Sequence, residues 1–105
     1  MKVFRLDDLD AERAANQGAY LRFLRERHMS AGLYALKAGD TDPQAPHAQD
    51  EIYVVISGRA ALTVGEETTT VARGSVAYVP AGTPHRFHHI SEDLRVMVVF
   101  SPPEP

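Results

Sequence analysis

Residues 74–89 read Gly-Ser-Val-Ala-Tyr-Val-Pro-Ala-Gly-Thr-Pro-His-Arg-Phe-His-His. The short apolar run at 75–79 is typical of a buried strand. The segment 80–84 must then turn the chain, because proline fixes φ and glycine adopts conformations that other residues avoid. Side chains of the strand that follows alternate between two faces. We therefore predict that three of them share one face: His85, Phe87 and His89.

A second stretch, residues 47–58, supplies further polar side chains. If the backbone is extended there, His47, Gln49 and Glu51 face the same way, because side chains two residues apart lie on one side of a strand. Residues 52–56 are rich in β-prone side chains, and Ser57-Gly58 is expected to break the strand. Two imidazoles and a carboxylate could thus be brought together from two distant segments.

The later stretch resembles the second sequence motif of the cupin superfamily. That motif is a glycine, five residues, Pro-x-Gly, two residues, a histidine, three residues and an asparagine. Gly74, Pro80, Gly82 and His85 match it at the same spacing, whereas His89 stands where the family usually has asparagine.

The earlier stretch resembles the first cupin motif, which is a glycine, five residues, His-x-His, three or four residues, a glutamate, six residues and a glycine. His47, Glu51 and Gly58 match, Gly39 fits loosely, and Ala45 replaces the first histidine of the pair. Together the two motifs span about residues 39–89, roughly half of the chain.

The resemblance implies that His47, Glu51 and His85 are metal ligands. Two neutral imidazoles and one carboxylate suit a divalent transition metal such as Zn, Fe, Mn, Ni or Co, with water or substrate in the remaining positions. The methyl group of Ala45 cannot coordinate a metal. Gln49 and His89 are candidates for an additional ligand.

Other side chains near the motifs have candidate roles in a pocket. His89 or Tyr78 could act as an acid or base, since imidazole titrates near neutral pH. Tyr53 and Phe87 are candidates to line the pocket, although aromatic residues on strands more often belong to a core. The alternative for the whole set is a metal-free pocket or a structural polar cluster, with Glu51 as a simple exposed charge.

The pattern of elements predicts an all-β fold. Many short strands separated by Gly/Pro turns favour an antiparallel sandwich or barrel, and the cupin resemblance implies a double-stranded β-helix, or jelly roll. We expect one domain over residues 1–105, with an N-terminal arm (1–18), one or two helical turns at Asp8–Ala15, and a Pro-rich tail (101–105). The predicted strands are Tyr20–Arg25, Met29–Leu36, Glu51–Ile56 and Arg59–Val64 as a hairpin, Glu67–Ala72, Ser75–Val79, His85–Ile90 and Leu94–Phe100, the last buried on both faces.

Composition narrows the range of partners. The net charge of −3 and the absence of a long basic run argue against nucleic acid. No apolar run reaches about 18 residues and no signal-peptide pattern is present, so we expect no membrane partner and a cytoplasmic location. The one basic cluster, Arg22, Arg25 and Arg27, is either a solvated strand edge with salt bridges or a patch for an acidic ligand.

Two functions are compatible with these residues. The first is a small metal-binding cupin that acts on a small oxygenated molecule, with dioxygenase- or isomerase-type chemistry. The second is a non-catalytic module that binds a small ligand, or a β-barrel stabilised by a metal. The resemblance also implies a homodimer, with Met1–Leu6 or the face that carries His88 as the contact.

Overall fold

The computed structural model describes all residues, 1–105. One helix precedes six strands, and the strands form a single antiparallel sheet in the order β1-β2-β6-β3-β4, with β5 paired to β3. The sheet curls into the double-stranded β-helix that the sequence predicted. The elements are α1 (Leu6–Ala15), β1 (Tyr20–Arg25), β2 (Ser30–Leu36), β3 (Asp50–Val64), β4 (Glu67–Ala72), β5 (Val76–Val79) and β6 (His85–Ser101).

The predicted hairpin at Ser57-Gly58 is wrong, because β3 continues through these residues as one strand of 15 residues. Gly58 has φ of +94°, and a Cβ built on it would lie 2.2 Å from the carbonyl oxygen of Asp93. Register shifts between β3 and β6 surround this position, from Val55 to Ala61. The glycine therefore makes a bulge that bends the strand instead of a turn that ends it.

The two predicted strands at the end of the chain are likewise one strand, β6, of 17 residues. The polar residues that were expected to separate them lie on the bulged part of β6, where Glu92 pairs with Arg59 of β3. Leu94–Phe100 alternates between buried and half-buried residues, so it is not buried equally on both faces. A β-bulge and the end of a strand can have the same polar residues in sequence. Only the pairing with the neighbouring strand, here β3, distinguishes them.

Bending of β3 and β6 brings the ends of the sheet together. His85 pairs with Val64, at the opposite end of β3 from Glu51. A straight strand would separate those two β3 residues by about 40 Å at about 3.3 Å per residue, yet the side chains of His85 and Glu51 are in contact. The bulges thus place the two motifs on facing sides of one barrel.

The core is a cluster of 14 buried residues from β2 to β6, among them Tyr53, Leu62, Phe87 and Val96. The helix is longer than predicted: it begins at Leu6 after Arg5, without a side-chain cap, and ends before Gln17, whose φ is +53°. None of the structure's helices has the length and apolar character that crossing a membrane requires.

The C-terminal residues lie against β1. The backbone carbonyl oxygen of Glu104 accepts hydrogen bonds from Arg22 and Arg25, and its carboxylate accepts one of 2.6 Å from the hydroxyl of Tyr20. The backbone amide of Glu104 donates to the hydroxyl of Ser30. Two of the three clustered arginines therefore hold the chain's own tail.

Candidate metal centre

Two backbone contacts dock the motifs onto each other. The amide of Gly82, in the turn before β6, donates a 2.7 Å hydrogen bond to the carbonyl oxygen of His47. The amide of Ala81 donates to the carboxylate of Asp50 at 2.8 Å. These bonds fix the turn against the start of β3, so that His85 enters the barrel beside His47.

Three predicted ligands converge in the barrel. Nε2 of His85 lies 2.9 Å from Oε1 of Glu51, and Nε2 of His47 lies 3.8 Å from Oε2 of the same carboxylate. The nearest ligand atoms of the three residues all lie within 4.8 Å of one another. A cation bonded to each at about 2.1 Å requires separations up to about 4.2 Å, so a small adjustment suffices.

Glu51 provides the clearest indication that a cation belongs here. Its side chain is fully buried, and neither carboxylate oxygen receives a hydrogen bond of acceptable geometry, although His85 is close. A buried carboxylate that lacks well-directed hydrogen bonds is costly, because its charge has lost water and the approach of one imidazole replaces only part of that solvation. The donor set fits a divalent transition metal, which would supply the missing partner.

His85 is oriented as metal-binding imidazoles usually are. Its Nδ1 lies 2.8 Å from the carbonyl oxygen of Thr83, which can only accept, so Nδ1 carries the proton. In the neutral ring Nε2 is then free of a proton and directs its lone pair towards Glu51. A histidine ligand typically donates its other N–H in this way, which fixes both tautomer and ring orientation.

The protonation of His85 gives a pH dependence. Burial lowers the pKa of His85, but the neighbouring Glu51 carboxylate and the Thr83 carbonyl outweigh it, and the pKa is raised above 6.5. Protonation of the folded chain therefore contributes stability that is complete below about pH 6.5 and is lost as the pH rises through the raised value. We expect urea unfolding with a chelator present to show this loss above neutral pH, and His85→Gln to remove it. If the free energy of unfolding of His85→Gln depends on pH as that of the wild type does, groups other than His85 cause the effect.

Gln44 is part of the site, and the sequence did not predict it. Its Oε1 lies 3.4 Å from Nε2 of His47 and 3.3 Å from Nε2 of His85, and it accepts a 2.9 Å hydrogen bond from the hydroxyl of Tyr53. Its Nε2 donates to Asp42 at 2.9 Å. The one hint in the sequence was that Gln44 directly precedes Ala45, the position of the missing histidine. The path of a Pro-rich loop cannot be derived from sequence, so this hint did not place the side chain.

Two cavities open beside the ligands. The first, of about 190 Å³, is mainly apolar and includes Tyr20, Tyr34, Gln44, His47, Phe100 and Glu104 in its lining. The second, of about 310 Å³, has no hydrophobic residue in its lining and reaches His85 and Gln44. The first is smaller than the roughly 300–1,000 Å³ of sites for drug-sized ligands, so it suits only a small molecule.

Three of the candidate polar side chains lie away from the ligand group. His89 is exposed, because its φ of +48° interrupts the alternation and turns Ile90 inward instead. Tyr78 is 59% exposed, since the buried side chain on β5 is its neighbour Val79, and its hydroxyl donates to Asp50. Gln49 precedes β3, and its Nε2 lies 3.5 Å from the carbonyl oxygen of Pro103.

Tyr53 and Phe87, predicted to line the pocket, are almost completely buried in the core and pack against each other with ring centroids 4.9 Å apart. Tyr53 reaches the site through its hydroxyl, which donates to Gln44, and its ring centroid lies 6.1 Å from that of His85. Burial, and then the Glu51 carboxylate, raise the pKa of Tyr53 far above its ordinary value. The phenol therefore stays protonated and can donate a hydrogen bond but cannot serve as a base.

Comparison with known proteins defines the class. A family model described as "Cupin domain" matches residues 32–100, which contain the ligand group and most of the barrel. This chain belongs to the cupin family.

Among its relatives is a Streptomyces coelicolor protein, "Uncharacterized protein SCO3923", 79% identical over 99% of both chains. An RmlC-like cupin protein from Desulfovibrio desulfuricans is 26% identical, with a TM-score of 0.80 and coverage of 99% of each chain. An RmlC-like cupin from Methanocaldococcus jannaschii, described as a double-stranded β-helix, is 20% identical, with a TM-score of 0.72 over 79% of this chain and 78% of that one. The last likeness concerns the fold alone.

Proposed function

We propose that this cupin binds one divalent transition metal ion through His47, Glu51 and His85 and acts on a small oxygenated molecule. The observation that carries the proposal is the buried Glu51 carboxylate, which has no hydrogen-bond partner and faces two imidazole nitrogens. The family match is consistent with it, since the matched residues include all three proposed ligands.

The bound ion would supply Lewis-acid chemistry or activate a small molecule, of the dioxygenase or isomerase type. The chain's own residues would bind and orient the substrate. The apolar cavity beside His47 would hold the substrate and exclude water, and Phe100 packs edge-on against the His47 ring with centroids 5.1 Å apart. Tyr53 holds a proton at its hydroxyl and donates it in a hydrogen bond to Gln44.

A second candidate function is a metal-stabilised module that binds a small ligand without turnover. It is favoured by the positions of His89 and Tyr78, the two acid–base candidates, which lie outside the ligand group.

Thermal unfolding with metals, chelator and small organic acids separates the two candidates. Purified protein should contain about one equivalent of transition metal. If an oxygenated acid stabilises the chain only when metal is present, and is consumed in air or isomerised, the enzyme is supported. Stabilisation by the acid that a chelator does not change would favour the binding module. Less than about a tenth of an equivalent of metal after reconstitution would contradict the metal site.

We also propose that the chain forms a homodimer through the outer face of β3 and β5. Ile52 and Tyr78 form a cross-strand pair on this face and are 42% and 59% exposed, and Val76 nearby is 66% exposed. Contiguous apolar side chains of this kind mark interaction surfaces. Light scattering at micromolar concentration should give a dimer for the wild type and a monomer for Val76→Glu. A monomeric wild type would contradict the proposal.

A further inference from the structure

The amide oxygen of Gln44 lies beside the Nε2 atoms of both histidines of the proposed site. Ala45 occupies the motif position of that histidine, and the side chain of its neighbour Gln44 reaches into the site instead. We propose that Oε1 of Gln44 is a fourth protein ligand of the metal. This inference depends on the proposed function, since it requires the three-ligand site to bind a metal.

The distances are those of neighbouring ligand atoms around one ion. With bonds of about 2.1 Å, adjacent ligands are separated by about 3.0 Å in an octahedral site and about 3.4 Å in a tetrahedral one. Oε1 of Gln44 lies 3.4 Å and 3.3 Å from the Nε2 atoms of His47 and His85. The amide oxygen is thus adjacent to both imidazoles at once.

A hydrogen-bonded cluster without metal explains this arrangement less well. Since Nδ1 of His85 donates to Thr83, the Nε2 of the neutral ring has only a lone pair to offer. That lone pair faces the amide oxygen of Gln44 and the unpartnered carboxylate of Glu51. In the metal-free chain a proton on Nε2 of His85 can serve only one of these oxygens, whereas a single cation would satisfy the ring nitrogen, the carboxylate and the amide oxygen together.

The surrounding residues fix which end of the Gln44 amide faces the site. Its Nε2 donates to Asp42 Oδ2, and a carboxylate can only accept, so the oxygen must point the other way. Asp42 is itself buried and held by the hydroxyl of Tyr34 at 2.7 Å and the amide of Phe87 at 2.8 Å. Asp42 is therefore a positioning residue, which orients the ligand and increases electron density on its oxygen.

The test uses Mn(II), whose affinity is measured by competition with a chelator and whose bound water is counted by proton relaxation. We expect Gln44→Leu to weaken Mn(II) binding about tenfold or more, and to add one water ligand where the amide oxygen was. Gln44→Glu keeps an oxygen donor but loses the N–H that bonds to Asp42, so it should bind Mn(II) more tightly than Gln44→Leu. Gln49→Leu, at a glutamine whose side chain lies beside Pro103 of the C-terminal tail, should change neither quantity.

Unfolding in the presence of chelator identifies variants that fail to fold. If Gln44→Leu does not fold, Gln44→Asn takes its place, since it keeps the amide but is one methylene too short to reach the ion. Wild-type protein that binds Mn(II), with unchanged affinity and water count in the folded variants, would overturn the role of Gln44 and leave the three-ligand site standing. Wild-type protein that binds no metal would overturn the proposed function and this inference together.

Discussion

Replacing Glu51 with glutamine is expected to abolish metal binding while leaving the metal-free fold nearly as stable as before. Glutamine has the same shape but lacks the charge that attracts the cation. Removing a residue that only hydrogen-bonds to a metal ligand weakens metal affinity by up to about 100-fold. Loss of a charged ligand itself should therefore weaken the affinity by at least about 100-fold. In the metal-free chain the neutral amide can still form a hydrogen bond with Nε2 of His85, so the free energy of unfolding should change by no more than about 1 kcal/mol.

Thermal unfolding measures both effects in one experiment. At a metal concentration 100 times the dissociation constant, binding stabilises the wild type by about 2.7 kcal/mol, which for a domain of this size raises the Tm by about 10–20 °C. Glu51→Gln should show no shift at the same concentration. Glu67→Gln makes the same chemical change at an exposed position on β4 and should behave like the wild type. A full metal-induced shift in Glu51→Gln would contradict the assignment.

The second large effect distinguishes the two histidines of the proposed metal site. Replacing either with alanine should remove metal binding, but only His85→Ala should strongly destabilise the metal-free protein. The side chain of His85 is 1% exposed and contacts the buried Glu51, whereas that of His47 is 29% exposed. Removing one partner of a buried polar pair costs about 3 kcal/mol or more, because the other partner is left uncompensated.

Urea unfolding with excess chelator is the appropriate measurement, because it removes any contribution of bound metal. We expect the midpoint for His85→Ala to fall well below that of the wild type, while His47→Ala stays within about 1 kcal/mol. The two variants are matched, since each removes one imidazole from the same group. Equal stability of the two would show that His85 is not part of the structural support of the barrel.

The turn and the ligand group were predictable because their signals are local. Gly82, between two prolines, marks a tight turn whatever its surroundings, and it has φ of +75° in the structure. His85 follows this turn closely, and Glu51 follows His47 closely, so both spacings fall within a single sequence motif. The structure brings His47, Glu51 and His85 together, with one potential ligand atom of each within 4.8 Å of the others, and their binding of a metal is our proposal.

The parts that sequence did not predict depend on tertiary pairing. Ser57-Gly58 has the composition of a turn, and only the approach of Asp93 reveals that it is a bulge within β3. His89 is four residues after His85 and would share its face in a regular strand. The positive φ of His89 itself shifts the alternation of side chains by one residue. Gln44 belongs to no strand, and its side chain is oriented by a hydrogen bond to the buried carboxylate of Asp42. That carboxylate is in turn held by the backbone amide of Phe87, which is 45 residues further along the chain.

The most direct test of the metal centre is a crystal structure of the protein reconstituted with Mn(II), with anomalous diffraction to locate the ion. We expect one strong anomalous peak in the barrel, within about 2.3 Å of Nε2 of His47, Nε2 of His85 and a carboxylate oxygen of Glu51. Absence of a peak among these three residues, in crystals grown with excess metal, would contradict the claim that they form a metal site.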